Sequence, residues 1–433
     1  MKKHFLTVLT CVTSIFASAQ NINQIINAVE VERIEKILAS DDMKGRETFT
    51  PDIDRAADFI ASEFAKSKLD FFGNATSYFQ EFGMIKTNPV QISGTLDKDI
   101  LTIKNVIANT THETLDITSL KDYEITTVNK GANLSSGIVN ALESNKNTIT
   151  IIDISFAKYF LNISQFVSQA KVPTQLSQIF IISSNFNPSA IDLHIKNEVI
   201  TQKLKNVVGV LPGKSKKDEY VVFAGHYDHL GIQHPETAGG DSIFNGANDD
   251  ASGTTAVMML AKYFSEQKDN ERTLIFVAFT AEEIGGYGSK YFSKQVNPDK
   301  VMAMFNIEMI GTESKWGKNS AFITGYEKSN MGKILQANLK ASKFRFEPDP
   351  YPKQELFYRS DNAKLAEVGV PAHTISTSKM DEAPNNEPNY HQVTDEIGTL
   401  DMNNMSEIIK SIAISSKTII SGKDTPSRLE KIK

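Results

Sequence analysis

Thr273-Leu274-Ile275-Phe276-Val277-Ala278-Phe279, followed at once by Thr280-Ala281-Glu282-Glu283, is the stretch on which the fold turns. A continuous apolar run of this length, with no polar alternation, is the pattern of a strand buried on both faces. Two similar runs precede it, Val207-Val208-Gly209-Val210-Leu211 and Tyr220-Val221-Val222-Phe223-Ala224. Ser252 to Phe264 and Tyr287 to Gln295 read as helices set among these strands. The alternation predicts an α/β fold: a three-layer α/β/α sandwich with a mixed, mostly parallel central sheet.

Working towards the N-terminus, the texture changes. Between about Val90 and Ile200, short β-prone runs such as Thr148–Ile152 and Gln178–Ile182 are separated by Asn, Ser and Lys, which predicts an inserted β-rich subdomain over 90–200. Before it, Val31, Ile34, Ile37 and Leu38 fall on one helical face. A second helix is expected over Asp52 to Lys66, burying Ala56, Ala57, Phe59, Ile60 and Phe64, and Ser40 to Arg46 between the two reads as a polar turn. Segments 20–89 and 201–433 are therefore expected to form one domain around the insert.

The first residues have another character. Lys2, Lys3 and His4 precede an apolar run from Phe5 to Phe16, and Ala17-Ser18-Ala19 follows. A positive start, a short apolar stretch and small residues at the cleavage positions predict a signal peptide over 1–19 and an exported, periplasmic or extracellular protein. The run is short for a membrane span. Thr10 is a poor residue before a lipid-bearing cysteine, which disfavours a lipoprotein attached through Cys11.

The whole sequence has 433 residues, 46 Lys+Arg against 52 Asp+Glu, and one cysteine. Losing Lys2 and Lys3 with the leader takes the net charge from −6 to −8. Such a balance argues against a partner rich in phosphate, so nucleic acid is not expected. With Cys11 removed, no disulfide framework or cysteine-based metal site is possible. Any metal has to be held by His and carboxylates.

Those residues cluster where strands end. Gly225-His226-Tyr227-Asp228-His229 follows the Tyr220 run, at the carboxyl edge where α/β sheets keep their sites. Asp228 is placed to take the second ring N–H of His226. Asn248-Asp249-Asp250-Ala251-Ser252-Gly253 opens a helix, where paired acids either complement the dipole or bridge metal ions. Glu282 and Glu283 end the Thr273 run; one of them can bind metal while its neighbour takes a proton from water. Glu308 sits in the apolar stretch Phe305–Gly311, and a buried carboxylate there needs a cation or hydrogen-bond donors. His391 lies in a polar loop ending at Asp395. Two histidines and several carboxylates form a donor set suited to zinc. His229 and His234 read as non-ligands, and His373, in an apolar strand, as a hydrogen-bonded core residue.

In this order the motifs resemble the co-catalytic di-zinc aminopeptidases of metallopeptidase clan MH, a group that includes bacterial leucyl aminopeptidases, glutamate carboxypeptidase II and, more distantly, glutaminyl cyclases. The resemblance is close over roughly Asn206 to Asp395 and extends to Leu38–Arg46. Some relatives carry a protease-associated domain at the place of the insert. The resemblance implies two zinc ions bridged by Asp249, one completed by His226 and Glu308, the other by Glu283 and His391. It implies Glu282 as general base, Asp228 orienting His226, and peptide substrates cleaved as by an exopeptidase. Relatives usually carry Asp where this chain has Glu308, so altered occupancy is expected at that ion. Tyr358, Arg359 and Asp361 resemble a pocket-side loop. A mono-zinc glutaminyl cyclase and a non-catalytic binding relative are the competing readings. The second predicts missing ligands, whereas all five positions hold ligating residue types.

Overall fold

The computed structural model describes residues 22–233, 240–380 and 388–432; the leader with Cys11, and His234, lie outside them. The chain divides into two compact units, one of residues up to Glu81 together with those from Leu204 onward, the other Phe82–Lys203. Among the described residues, no helix is long and apolar enough to cross a membrane.

The larger unit is built on strands β1 (Ile191–Leu211, its C-terminal part), β2 (Lys216–His226), β3 (Arg272–Phe279), β4 (Val301–Ile307), β5 (Ser320–Ile323), β6 (Arg345–Pro348) and β7 (Ala372–Ser376). Their order is β6-β5-β7-β4-β2-β3-β1. β2 runs parallel to β3 and β4, and β4 parallel to β7, while β1 and β5 meet β3 and β7 antiparallel. The sheet is thus mixed and mostly parallel, as the sequence predicts.

Its longer helices are α1 (Ala28–Leu38), α2 (Pro51–Lys66), α3 (Ser252–Gln267), α4 (Tyr287–Ser293), α5 (Met331–Leu339), α6 (Asn362–Glu367) and α7 (Met402–Ser415). The Asn27 side chain caps α1 by accepting the Glu30 N–H, and Pro51 opens α2 where its missing N–H is harmless. Successive strand residues point to opposite faces. Val221, Phe223, Leu274 and Phe276 pack with α1, α2, α3, α5 and α7, whereas Val222, Ala224, Ile275 and Val277 pack with α4 and α6. Helices on both faces explain why the central strands carry no polar alternation. This is the three-layer sandwich.

The Ser40–Arg46 segment differs from the expected polar turn. Arg46 is fully buried and its guanidinium donates to four carbonyls, those of Leu38, Tyr227, Asn245 and Gly246. Hydrogen bonding makes burial of that charge tolerable.

In the smaller unit, Val106–Asn109, Gln178–Ile182, Thr148–Ile152 and Glu124–Val128 form a four-stranded sheet in that order. Ile149, Ile151, Ile179 and Ile181 face one apolar cluster. Ile152, Phe180 and Ile182 face another, which the helices Leu134–Leu142 and Phe160–Val167 complete. The unit is rich in β-structure, with these two helices added.

Candidate metal centre

Three parallel strands deliver the chemistry to one edge. Register pairs His226 with Phe279 and Ala224 with Asn306, so His226 and Glu308 emerge side by side, and Glu282 and Glu283 follow in the turn after β3. Asp249 comes from the irregular turn Ala247–Ala251 that opens α3. Gly246 precedes it at φ +53, and a Cβ there would strike the His229 ring. Left-handed backbone at non-glycine residues recurs at this edge: Ala281 beside Glu282, Met309 beside Glu308, and His391 itself. Each such conformation costs on the order of 1–3 kcal/mol and persists where surrounding contacts dictate it.

The side chains expected to act together do meet. His226 Nε2 is 3.2 Å from Asp249 Oδ1 and 3.6 Å from Glu308 Oε1. His391 Nε2 is 3.3 Å from Asp249 Oδ2 and 3.1 Å from Glu283 Oε2. The two oxygens of Asp249 therefore face two different histidines. The other ring nitrogen of His226, Nδ1, lies 3.1 Å from the Asp228 backbone oxygen and 3.7 Å from its carboxylate. That carboxylate also accepts the N–H groups of Glu282 at 3.1 Å and Glu283 at 3.2 Å. Asp250, fully buried, accepts the N–H groups of His226, Gly253 and Met309, tying three segments of the site together.

His229, a non-ligand on the sequence reading, belongs to this cluster. It is buried, Nδ1 lies 2.8 Å from Glu283 Oε1, and its ring meets that of His391 edge-on at 5.8 Å. Its place three residues after His226 is the one signal the sequence offers. Asp395, which no motif marks, is buried behind Asp249. His373 sits in β7, bonded to Ser329 and to the Thr324 carbonyl, away from the cluster.

The donor set fits zinc. His226 Nε2 is buried without a hydrogen-bond partner among the described residues, although it points at two carboxylates. A position between such groups suits a cation, and two imidazoles with three carboxylates provide ligands of the right kind at two adjacent positions. Burial holds the Glu282 carboxyl well above the ordinary range; His226 opposes this, while Glu308, Asp361 and Glu283 add to it. Burial likewise raises Asp249, but His226 and His391 outweigh it and hold Asp249 below its usual range.

Beside the acids lies a pocket of about 90 Å³, lined by Met309, Phe322, Leu356 and Met380 together with the hydroxyls of Thr324 and Ser376. Arg359 joins this lining; Tyr358 and Asp361 do not. The Tyr358 ring is largely exposed and packs on Phe357. Asp361 is fully buried, and burial pushes its carboxyl up to about 7.

Residues 206–414 match the sequence profile of Peptidase family M28. This part of the chain belongs to that family. The M28 segment includes Asp395 and every candidate ligand. A probable zinc metalloprotease of Pyricularia oryzae is 33% identical over 117 residues, 26% of this chain and 22% of that protein. Aminopeptidase YwaD of Bacillus subtilis is 28% identical over 123 residues, 28% of this chain and 24% of that protein. The aligned stretches thus span about a quarter of these relatives. Among solved structures, an aminopeptidase from Aneurinibacillus sp. strain AM-1 superposes over 95% of this chain and 97% of its own, with a TM-score of 0.54 and 18% identity. The M28 fold is shared at that level.

Proposed function

We propose that this protein is an exported, zinc-dependent exopeptidase, an aminopeptidase that hydrolyses N-terminal residues from peptides. The observation carrying this reading is the convergence of His226, Asp249, Glu283, Glu308 and His391, with half-buried Glu282 lining the same pocket, which has room for about one side chain. His226, Asp249 and Glu308 would hold one zinc ion; Asp249, Glu283 and His391 would hold the other. Bound there, zinc supplies a water of lowered pKa and polarises the scissile carbonyl. Glu282 would act as the general base, taking a proton from the attacking water and giving it to the leaving amine. Asp228 fixes the backbone of both glutamates, so that Glu282 keeps its aim while Glu283 binds metal. Met309, Phe322, Leu356 and Met380 offer an apolar surface to the terminal side chain. The leader read over 1–19 supports export.

The test is activity of zinc-reconstituted protein on free and N-blocked aminoacyl anilides. Cleavage of the free substrates, abolished by chelation and restored by zinc, is the expected result. Preference for blocked substrates would replace aminopeptidase by another exopeptidase. Cyclisation of N-terminal Gln without hydrolysis would replace it by a glutaminyl cyclase.

A further inference from the structure

Asp249 is carried by a five-residue bend, Asn245 to Asp249, whose backbone is gripped from two sides. On one side the buried Arg46 guanidinium takes the carbonyls of Asn245 and Gly246, at 2.6 and 2.9 Å. On the other, the Asp395 carboxylate accepts the next amides along the bend: Oδ1 from Asn248 N–H at 2.9 Å and Oδ2 from Asp249 N–H at 3.0 Å. The Asp395 carbonyl accepts a third, the N–H of Ala247, at 3.1 Å. Asp395 is buried and lies four residues after His391, in the segment that supplies that histidine.

Charge-assisted bonds from one carboxylate to two consecutive amides are short and directional. They fix the Asp249 peptide, and with it the direction in which the Asp249 side chain leaves the backbone. Because the same residue closes the His391 loop, two ligands separated by 142 positions in sequence are set by one contact. His391 needs such support: its backbone is left-handed and its side chain is 36% exposed. His226 and Glu308, by contrast, are held by neighbouring strands and have no bond to Asp395.

We infer that Asp395 is a positioning residue, latching the His391 loop to the Asp249 bend and thereby selectively tightening the ion shared by Asp249, Glu283 and His391. The inference rests on the two-metal reading proposed above. Residues that orient ligands without touching the metal contribute about 10–100-fold in metal affinity.

Asp395→Asn tests it, since an amide keeps the size but can accept from only one of the two N–H groups through its oxygen and presents its own N–H to the other. Zinc stoichiometry and affinity are measured by competition with a chelator, and thermal melting is measured in the metal-free form. The expected variant melts within a few degrees of the parent without metal, keeps one ion, and binds the second about 10–100-fold more weakly. In a His391→Ala background the same change should weaken the remaining ion by much less than it weakens the second ion in the parent, because only the Asp249 anchor is then lost. Equal weakening of both ions, unchanged affinity for both, or failure of metal-free Asp395→Asn to fold would each overturn the latch. A parent protein that binds no zinc would instead overturn the two-metal reading.

Discussion

Glu282 shows how much one carboxyl depends on its surroundings. It ends a buried strand, its N–H is held by Asp228, and its side chain is pushed towards the neutral form by burial and neighbouring acids. Cations held at the proposed adjacent positions would reverse that push, which suits a base acting on water. Glu282→Gln is expected to lower turnover by about 10²–10⁴-fold while zinc content stays at the parent level; unchanged activity would refute the assigned base. Glu308 poses a separate question. One of its oxygens faces His226, while the other is tied to the Ser360 hydroxyl and lies 3.4 Å from Asn306 Nδ2. The longer side chain thus shares its carboxylate between the proposed metal position beside His226 and a protein anchor. The ion at His226 and Glu308 is expected to leave first on titration with chelator. Glu308→Gln should weaken it by about tenfold or more without emptying the other position, and metal analysis that finds both ions equally affected would exclude this.

At the scale of elements, the sheet was legible and the bends behind it were not. Runs such as Thr273–Phe279 carry the signature of double burial in their own composition, so the α/β class follows from them. The acids and histidines that converge were legible too, because a carboxylate ending a buried strand is conspicuous. Arg46 was not: its partners are main-chain carbonyls up to 200 positions away, and carbonyls have no residue-specific mark. Asp395 and His229 were obscured for the same reason, since their positions become meaningful only when distant loops meet. The junction of α3 with β4 exposes a further constraint of this kind. A side chain on Gly253 would run into the Ile307 carbonyl and the Asp250 carboxylate, so α3 approaches the strand more closely than any other residue permits. Gly253→Ala is expected to destabilise the fold by about 1–3 kcal/mol and to weaken zinc binding, because displacing α3 shifts Asp249 and Asp250 together. Denaturant unfolding of metal-free protein checks the first effect; a change below a few tenths of a kcal/mol would show that the junction can yield.

For the molecule as a whole, two buried groups outside the metal centre set opposite limits on stability. His373 is fully enclosed; its Nδ1–H donates to the Thr324 carbonyl and Nε2 accepts from the Ser329 hydroxyl. Burial, against the pull of that carbonyl, lowers its pKa to about 4. The unfolded chain therefore takes up a proton near 6.5 that the folded chain refuses, and stability falls as pH drops from about 6.5 through 4, by about 3 kcal/mol in full. Glu35 on α1 works the other way. Neither of its oxygens has a well-formed hydrogen bond among the described residues, and burial raises its pKa to about 8 despite the nearby Thr255 hydroxyl and Arg46. Folded Glu35 keeps its proton where unfolded glutamate has lost it, so its contribution is complete below about 4.5 and is lost as pH rises through 8, by at most about 4–5 kcal/mol. Together the two groups favour a stability maximum near pH 5–6 in the metal-free protein. Glu35→Gln keeps the shape of the side chain and removes the titration. Its melting temperature, measured from pH 4 to 9 in chelator, is expected to gain on the parent progressively from about pH 4.5 to 8, so that the variant's stability keeps rising to about pH 6.5, where the His373 limb ends. A parent and variant that remain parallel across the whole range would mean that Glu35 is ionised within the fold, with Arg46 as its counter-charge.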